Sequence, residues 1–243
     1  MNNQGNKNKW ALVTGATSGI GESFTRLLAE LGFNLVLVAR DLPRLNERAS
    51  ALEANFKIET KVIAADLSTD SGCKTIEDFI LENEVEVLIN NAGFGQTIAF
   101  AEEDAQWVRN ELAVNVQTLV ELTHEFLPGM LERKSGIVIN IASTAAFQSL
   151  PYMAVYGATK AFVLSFTEAL WGETRLGRIF IHVHLQGDLY WLGSLGGECG
   201  DALQQVNAPH RGDAVGNLQR TSRLVGLQRT NQDPGEVRRG SQR

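Results

Sequence analysis

The sequence predicts an α/β fold with a doubly wound parallel sheet, because short apolar runs alternate with longer amphipathic stretches from Trp10 to about Leu185. The short runs are rich in Val, Ile and Leu, which is typical of strands that are buried on both faces. The longer stretches carry apolar residues every three or four positions, which is typical of helices that cover a sheet. Because such connections are right-handed, the carboxyl ends of the strands lie at one edge, where sheets of this kind bind ligands.

The alternation predicts six strands and five helices in chain order. The strands are Trp10–Thr14, Asn34–Arg40, Thr60–Ala65, Val85–Asn90, Gly136–Ile141 and Ile179–Leu185. The helices cover Ile20–Leu31, the segment from Asp41 to about Leu52, Ser71–Glu82, Asp104–Glu132 and Pro151–Arg175. Gly32 is a typical residue after the end of a helix, and Asp41 is a typical N-cap, with Pro43 in the first turn.

Three segments differ in composition. Residues 1–9 form a polar N-terminal extension, residues 10–185 form a single domain, and residues 186–243 form an atypical tail. From Leu192 to Arg243 there is no Phe, Trp or Tyr, and no lysine follows Lys160, although arginine stays common. Hydrophobic periodicity is also lost in this tail, so we expect it to be irregular or incomplete, as a disordered segment or as sequence read out of frame.

Charge and composition exclude several classes of function. The net charge of −6 argues against nucleic acid as a partner, since nucleic-acid binders usually carry a basic surface. The polar start and the absence of a long apolar run predict neither a signal peptide nor a membrane span. Two cysteines are too few for a disulfide framework, so we expect a cytoplasmic protein. The four histidines show no paired spacing, and no metal site is predicted.

A glycine-rich turn follows the first strand, with the sequence Thr-Gly-Ala-Thr-Ser-Gly-Ile-Gly from Thr14 to Gly21. Glycines allow a tight turn and a close approach of the backbone to phosphate, and the next helix directs its first amides at the same place. We therefore predict a pyrophosphate site rather than an ordinary loop. Its residues are Gly15, Thr17, Ser18, Gly19, Ile20 and Gly21.

The spacing TGxxxGxG resembles the cofactor turn of the short-chain dehydrogenase/reductase family, and the motifs below follow in that family's order over positions 10 to about 175. The resemblance implies a Rossmann fold and a nicotinamide dinucleotide. Asp66 would then bind the adenine amino group, with help from the Leu67 amide, and Asn91, Ala92 and Gly93 would line the adenosine side. The alternative for Asp66 is a simple turn or helix cap.

The end of the second strand favours NADP(H) over NAD(H). Ala39 stands where NAD-preferring members of the family carry an acidic residue, and Arg40 follows it. A guanidinium can hold a 2′-phosphate through two parallel hydrogen bonds, and Arg44 can add charge. The alternative is that Arg40 is only a solvated surface charge.

The catalytic residues are predicted to be Asn115, Ser143, Tyr156 and Lys160. Tyr156 and Lys160 are four residues apart, so a helix presents them on one face, and an ammonium nearby lowers the pKa of a phenol. Ser143 ends the fifth strand and can orient a carbonyl oxygen. The resemblance implies that Tyr156 and Lys160 also bind the cofactor, with Lys160 at the nicotinamide ribose. It also implies that Asn115 bends its helix and holds a water that relays protons.

The resemblance weakens after the sixth strand, where Gln186 replaces the family's usual proline and no threonine follows nearby. The sequence therefore supports three hypotheses. One is an NADP(H)-dependent oxidoreductase that acts on a small-molecule carbonyl or alcohol, for which the resemblance implies a homo-oligomer. Another is a catalytically impaired NADP(H)-binding protein that lacks a complete substrate pocket; a damaged gene product is the third.

Overall fold

The computed structural model describes Asn6 and residues 8–80, 84–174 and 179–186, which belong to one compact unit. The expectations for residues 187–243, including the irregular tail, lie outside the described residues. The strands are β1 (Trp10–Thr14), β2 (Asn34–Ala39), β3 (Thr60–Ala64), β4 (Val85–Asn90), β5 (Gly136–Ser143) and β6 (Ile179–Gln186). The helices are α1 (Gly19–Glu30), α2 (Leu42–Phe56), α3 (Asp70–Ile80), α4 (Ala105–Leu112), α5 (Thr118–Arg133) and α6 (Ala154–Thr174).

The six strands form one parallel sheet in the order β3-β2-β1-β4-β5-β6. The chain runs outward from β1 to β3 and then returns to the other side of β1 with β4. Strand order therefore reverses between β1 and β4, and this is the position at which a doubly wound sheet opens a crevice for ligands. The predicted fold class, a Rossmann-type doubly wound sheet, is confirmed.

The core consists of the strands that the sequence predicts to be buried on both faces. Leu12, Val36 and Leu88 are fully buried in the three central strands. They belong to one apolar cluster that continues into helix α5 through Leu122 and Phe126. This burial holds the carboxyl ends of the strands in fixed relative positions, which is what a site built on the following loops requires.

A chain of buried amides and hydroxyls joins the sheet to α5 and α6. The Nδ2 group of Asn90 in β4 donates to Oδ1 of Asn140 in β5 at 2.9 Å, and to Oγ1 of Thr123 in α5 at 3.0 Å. The Nδ2 group of Asn140 donates to Oγ1 of Thr167 in α6 at 3.0 Å. Both helices are thus tied to adjacent strands by buried hydrogen bonds, which favour one arrangement over its alternatives.

Two of the predicted helices differ from those in the structure. The long helix predicted over Asp104–Glu132 is divided into α4 and α5 by a π-helical turn at Ala113–Gln117. The helix predicted from Pro151 begins at Ala154, because Tyr152 has a φ of 66°, which a right-handed helix does not accept. Of the helices that the structure describes, none is both long and apolar enough to cross a bilayer.

Candidate active site

A cavity of about 610 Å³ opens at the crevice between the carboxyl ends of the strands. Loops that follow β1, β2, β3 and β4 contribute to its wall, together with one side of α4. Eight of the predicted cofactor residues line it: Gly15, Thr17, Ser18, Arg40, Asp66, Leu67, Ala92 and Gly93. The other predicted cofactor residues do not line the cavity; they are Gly19, Ile20, Gly21, Asn91, Tyr156 and Lys160.

The glycine-rich turn has a shape that other residues could not adopt. Gly15 and Gly19 have φ values of 65° and 55°, in the left-handed region. A methyl group on Gly15 would lie 2.7 Å from Nδ2 of Asn91, and one on Gly21 would overlap the carbonyl oxygen of Gly15. Ser18 precedes α1 as its N-cap, and its side chain makes no capping bond. The first amides of α1, including that of Ile20, therefore suit an anionic phosphate.

The loop is held in place from behind by two residues. Oγ1 of Thr14 accepts hydrogen bonds from the backbone amides of Asn91 and Ala92, both at 3.0 Å. The Asn91 side chain donates from Nδ2 to the carbonyl oxygens of Thr14 at 2.9 Å and Gly15 at 3.2 Å. Asn91 therefore shapes the floor of the cavity through its contact with the glycine-rich turn. The sequence analysis assigns no role to Thr14, although this residue begins the glycine-rich turn directly before Gly15.

Charged and polar side chains line the cavity at the ends of β2 and β3. Arg40 and Arg44 are exposed, and Nη2 of Arg44 donates to the carbonyl oxygen of Thr17 at 3.1 Å. Oδ1 of Asp66 accepts hydrogen bonds from the backbone amide of Ser68 at 3.0 Å and from its hydroxyl at 2.8 Å. The hydrogen bond from the backbone amide is the main reason that the pKa of Asp66 lies below its usual range. Asp66 is thus part of a turn as well as of the cavity wall. The residue after it, Leu67, is buried.

The predicted catalytic pair lies on α6. The ammonium nitrogen of Lys160 is 5.7 Å from the centre of the Tyr156 ring, and it donates to the carbonyl oxygen of Ile141 at 2.8 Å. Lys160 is only 4% exposed, and burial lowers its pKa to about 8. An ammonium that is held against a phenol ring in a poorly solvated place can stabilise the phenolate form of Tyr156.

Asn115 lies within the π-helical turn between α4 and α5. Its Oδ1 accepts from the Phe94 amide at 3.0 Å, and its Nδ2 donates to the Phe94 carbonyl oxygen at 2.8 Å and to Oγ1 of Thr159 at 3.2 Å. Thr159 directly precedes Lys160 in α6. Asn115 therefore joins the loop after β4 to the helix that carries the catalytic pair.

Ser143 ends β5 and is 7% exposed. Its Oγ accepts from the Ala145 amide at 3.2 Å and so caps the short 3₁₀ turn Thr144–Phe147. The hydroxyl hydrogen is still available to a substrate oxygen, since Oγ acts as an acceptor in this bond.

Gly93 connects the catalytic residues to the cavity. A methyl group on Gly93 would lie 3.1 Å from Oδ1 of Asn115 and 3.3 Å from Nζ of Lys160, and Gly93 itself lines the cavity. The absence of a side chain thus brings the cavity wall directly against two of the four predicted catalytic residues.

Two further residues, Gly95 and Glu111, act on this group, although neither belongs to a motif in the sequence. A methyl group on Gly95 would lie 2.8 Å from Cγ and 3.0 Å from Cβ of Tyr156, so the Tyr156 ring packs directly on the Gly95 backbone. Glu111 in α4 is fully buried, and burial raises its pKa to about 7. No local pattern in the sequence marks Glu111 or Gly95, because the importance of both depends on segments that pack against α6.

The described part of the chain brings no three His, Cys, Asp or Glu side chains together in a way that could hold a metal ion. A dinucleotide, in contrast, fits the residues present, because a glycine-lined floor, the first-turn amides of α1 and two guanidinium groups border one cavity.

Comparisons with known proteins find relatives in sequence and in fold. A family model described as short chain dehydrogenase matches residues 9–187. The very-long-chain 3-oxoacyl-CoA reductase of Rattus norvegicus is 35% identical over 177 residues, which are 71% of this chain and 57% of the relative. The Danio rerio very-long-chain 3-oxoacyl-CoA reductase-B is 34% identical over 178 residues, with the same coverage. The chain thus spans little more than half the length of these curated relatives.

Two solved structures share the fold. A bulky-bulky ketone specific alcohol dehydrogenase from Comamonas testosteroni has a TM-score of 0.76 and 29% identity, and the match covers 94% of this chain and 97% of that one. A short-chain dehydrogenase from Sphingobium yanoikuyae in complex with NADPH has a TM-score of 0.75 and 25% identity, with 96% and 100% coverage. The fold, the family model and the ordered motifs agree, and the chain belongs to the short-chain dehydrogenase/reductase family.

Proposed function

We propose that this chain is an NADP(H)-dependent oxidoreductase that transfers hydride between the nicotinamide and a carbonyl or hydroxyl substrate. The observation that carries the proposal is the buried Lys160 ammonium, 5.7 Å from the centre of the Tyr156 ring and against the cavity wall at Gly93. Burying a cation costs free energy, so an ammonium kept in this position points to a function, and stabilising a phenolate during proton transfer is such a function.

The preference for the phosphorylated cofactor rests on Arg40 and Arg44. Both line the cavity, and neither β2 nor the residue after it offers a carboxylate that would bind an unmodified ribose and repel a phosphate. The family member from Sphingobium yanoikuyae, with NADPH bound, supports the same choice. When bound, NADP(H) would supply or accept the hydride at its nicotinamide ring.

The protein groups would handle the proton and the carbonyl oxygen. In the direction of reduction, Tyr156 donates its phenolic proton to the oxygen that gains negative charge, and Ser143 donates a hydrogen bond to the same oxygen. The Lys160 ammonium stabilises the resulting phenolate, and Asn115 keeps the helix that carries Lys160 in position through Thr159. In the direction of oxidation the same proton returns to Tyr156.

The substrate class is proposed to be a ketone, or the corresponding alcohol, with a large apolar substituent. Three exposed aromatic side chains, Phe100, Phe147 and Tyr152, belong to the two segments beside Ser143 and Gly95, and they are 65%, 56% and 62% exposed. These segments are joined where the Ile98 amide donates to the Tyr152 carbonyl oxygen at 2.8 Å. Exposed aromatic surface of this kind suits an apolar ligand.

A catalytically impaired NADP(H)-binding protein is the second candidate. It is favoured by Gln186, which ends β6 where the family usually has proline, and by the lack of a nearby threonine in the sequence. The two candidates share the cofactor site and differ only in turnover.

Turnover of the full chain distinguishes them. We expect NADPH oxidation with a panel of bulky apolar ketones, and we expect Tyr156→Phe to abolish it while the NADPH dissociation constant, measured by titration, stays close to that of the unmodified chain. NADPH binding without turnover on any ketone would favour the second candidate. Equal turnover by the Tyr156→Phe variant would refute the proposed mechanism.

A further inference from the structure

Glu111 is a buried acid that the proposed mechanism does not use. The residue is fully buried in α4, and within the part of the chain that the structure describes neither carboxylate oxygen meets a donor in ordinary hydrogen-bond geometry. The Trp107 side chain, one turn earlier, is close enough to favour the charged form of the acid without completing such a bond. An acid in this position is either neutral or compensated by a nearby positive charge.

The only cation that acts on Glu111 among the described residues is the ammonium of Lys160. The interaction is mutual, because the negative charge of Glu111 is also what favours the charged form of Lys160. The other charged group that acts on Glu111 is Glu103, in the segment before α4, and it disfavours the ionised acid. Burial acts against the charge on both partners.

The packing of α4 and α6 brings these two groups into the same region. Asn115, one turn after Glu111, donates to Thr159, which is the residue before Lys160. Gly93 lies against Oδ1 of Asn115 and Nζ of Lys160 together. A fully buried carboxylate and a 4% exposed ammonium therefore share a poorly solvated interior, where charges interact more strongly than at a surface.

We propose that Glu111 is the buried counter-charge of Lys160, and that it is a positioning residue that keeps the catalytic lysine protonated in the working pH range. The inference rests on the proposed function for its effect on turnover, but the pairing of the two charges does not. Glu111 acts through Lys160 and needs no contact with substrate or cofactor.

The sign of the effect follows from the charges. Burial lowers the pKa of Lys160 to about 8, and Glu111 opposes that decrease. Removing the negative charge leaves burial unopposed, so Lys160 loses its proton at a lower pH. A neutral amine does not stabilise the Tyr156 phenolate, so the rate declines at a lower pH as well.

The test compares Glu111→Gln with Glu103→Gln in the full chain. In Glu111→Gln we expect the basic limb of the kcat profile for ketone reduction to move to lower pH, with a several-fold loss of kcat at pH values near 8 and little change in KM for NADPH. Glu103→Gln removes a charge that keeps Glu111 protonated, so its basic limb should stay in place or move to higher pH. A merely structural role for Glu111 would lower kcat at all pH values without moving the limb.

A second measurement is independent of turnover. The Lys160 side chain can be followed by NMR in protein labelled with ¹³C at the lysine ε-carbon, and its resonance can be assigned by its loss in Lys160→Met. We expect this resonance to titrate at lower pH in Glu111→Gln than in the unmodified chain. Titration at the same pH in both proteins, or a kcat limb that moves in the same direction in both glutamine variants, would overturn the pairing. An unmodified chain without turnover whose Lys160 resonance still responds to Glu111→Gln would refute the proposed function and leave the pairing intact.

Discussion

The cofactor end and the catalytic end of the candidate site handle charge in opposite ways. At the ends of β2 and β3, Arg40, Arg44 and Asp66 are exposed, and their charges are solvated. Beside α6, Lys160 and Glu111 are 4% and 0% exposed, and both have strongly shifted pKa values. Solvated charges bind a ligand at little cost to folding, whereas buried charges oppose folding and are able to change the acidity of a neighbour. Substitutions at the first end should therefore change affinity, and substitutions at the second should change rate.

Lys160→Met should have the largest effect on kcat. An unchanged kcat in this variant would contradict the comparison most directly. We expect kcat to fall by about 100-fold or more, because general acid catalysis by Tyr156 loses the cation that supports it. The free energy of unfolding should also decrease, because the Ile141 carbonyl oxygen loses its donor and the buried Glu111 loses its counter-charge. Turnover and thermal unfolding measure the two effects. Lys61→Met, at an exposed position of β3, is the control and should keep full turnover.

Gly95→Ala tests whether the Tyr156 ring is positioned by backbone contact. The added methyl group would overlap the ring, and a displaced phenol should lower kcat by about tenfold, because small displacements of reacting groups have large effects on rate. Gly172→Ala is the matched control, since a methyl group there meets nothing within 4 Å. Equal kcat values for the two alanine variants would contradict the positioning role of Gly95.

Arg40→Ala sharpens the comparison at the cofactor end of the site. We expect the dissociation constant for NADPH to rise by about tenfold or more, as for a lost hydrogen bond to a charged group, while that for NADH changes little. Arg44→Ala also removes the hydrogen bond to the Thr17 carbonyl oxygen in the glycine-rich turn, so both cofactors should bind less well. Titration with each cofactor measures both effects. Equal weakening of NADPH and NADH binding in Arg40→Ala would contradict the assignment of the 2′-phosphate site.

Asp104→Ala should have the smallest effect, because Asp104 lies outside both the cofactor end and the catalytic end of the site. Oδ1 of Asp104 accepts from the amides of Gln106 and Trp107, both at 2.9 Å, and caps α4. We expect a loss of about 1 kcal/mol in the free energy of unfolding, with kcat and cofactor affinity unchanged. Asp104→Asn should retain most of the stability, because asparagine is an equally good N-cap. Chemical denaturation of the two variants checks this, and equal losses would argue against the cap.

The sequence predicts local patterns well and contacts across the fold poorly. All six strands fall within two residues of their predicted ends, because buried parallel strands are apolar on both faces and stand out from the helices between them. The glycine-rich turn and the Tyr156–Lys160 spacing are local patterns as well. Glu111 and Gly95 could not be identified in this way, since their importance depends on α6 packing against distant segments. The π-helical turn around Asn115 likewise interrupts a continuous helical pattern.

The buried hydrogen bonds from Thr123 through Asn90 and Asn140 to Thr167 fix the position of α5 relative to α6. If one helix slid along the other by a single turn, several buried donors and acceptors would lose their partners at once. The axial spacing between Asn115 and Tyr156 is therefore fixed by the sheet beneath them, independently of the segments that would contact the substrate. Those segments could be replaced by others of different length and polarity without changing the relative positions of Asn115 and Tyr156.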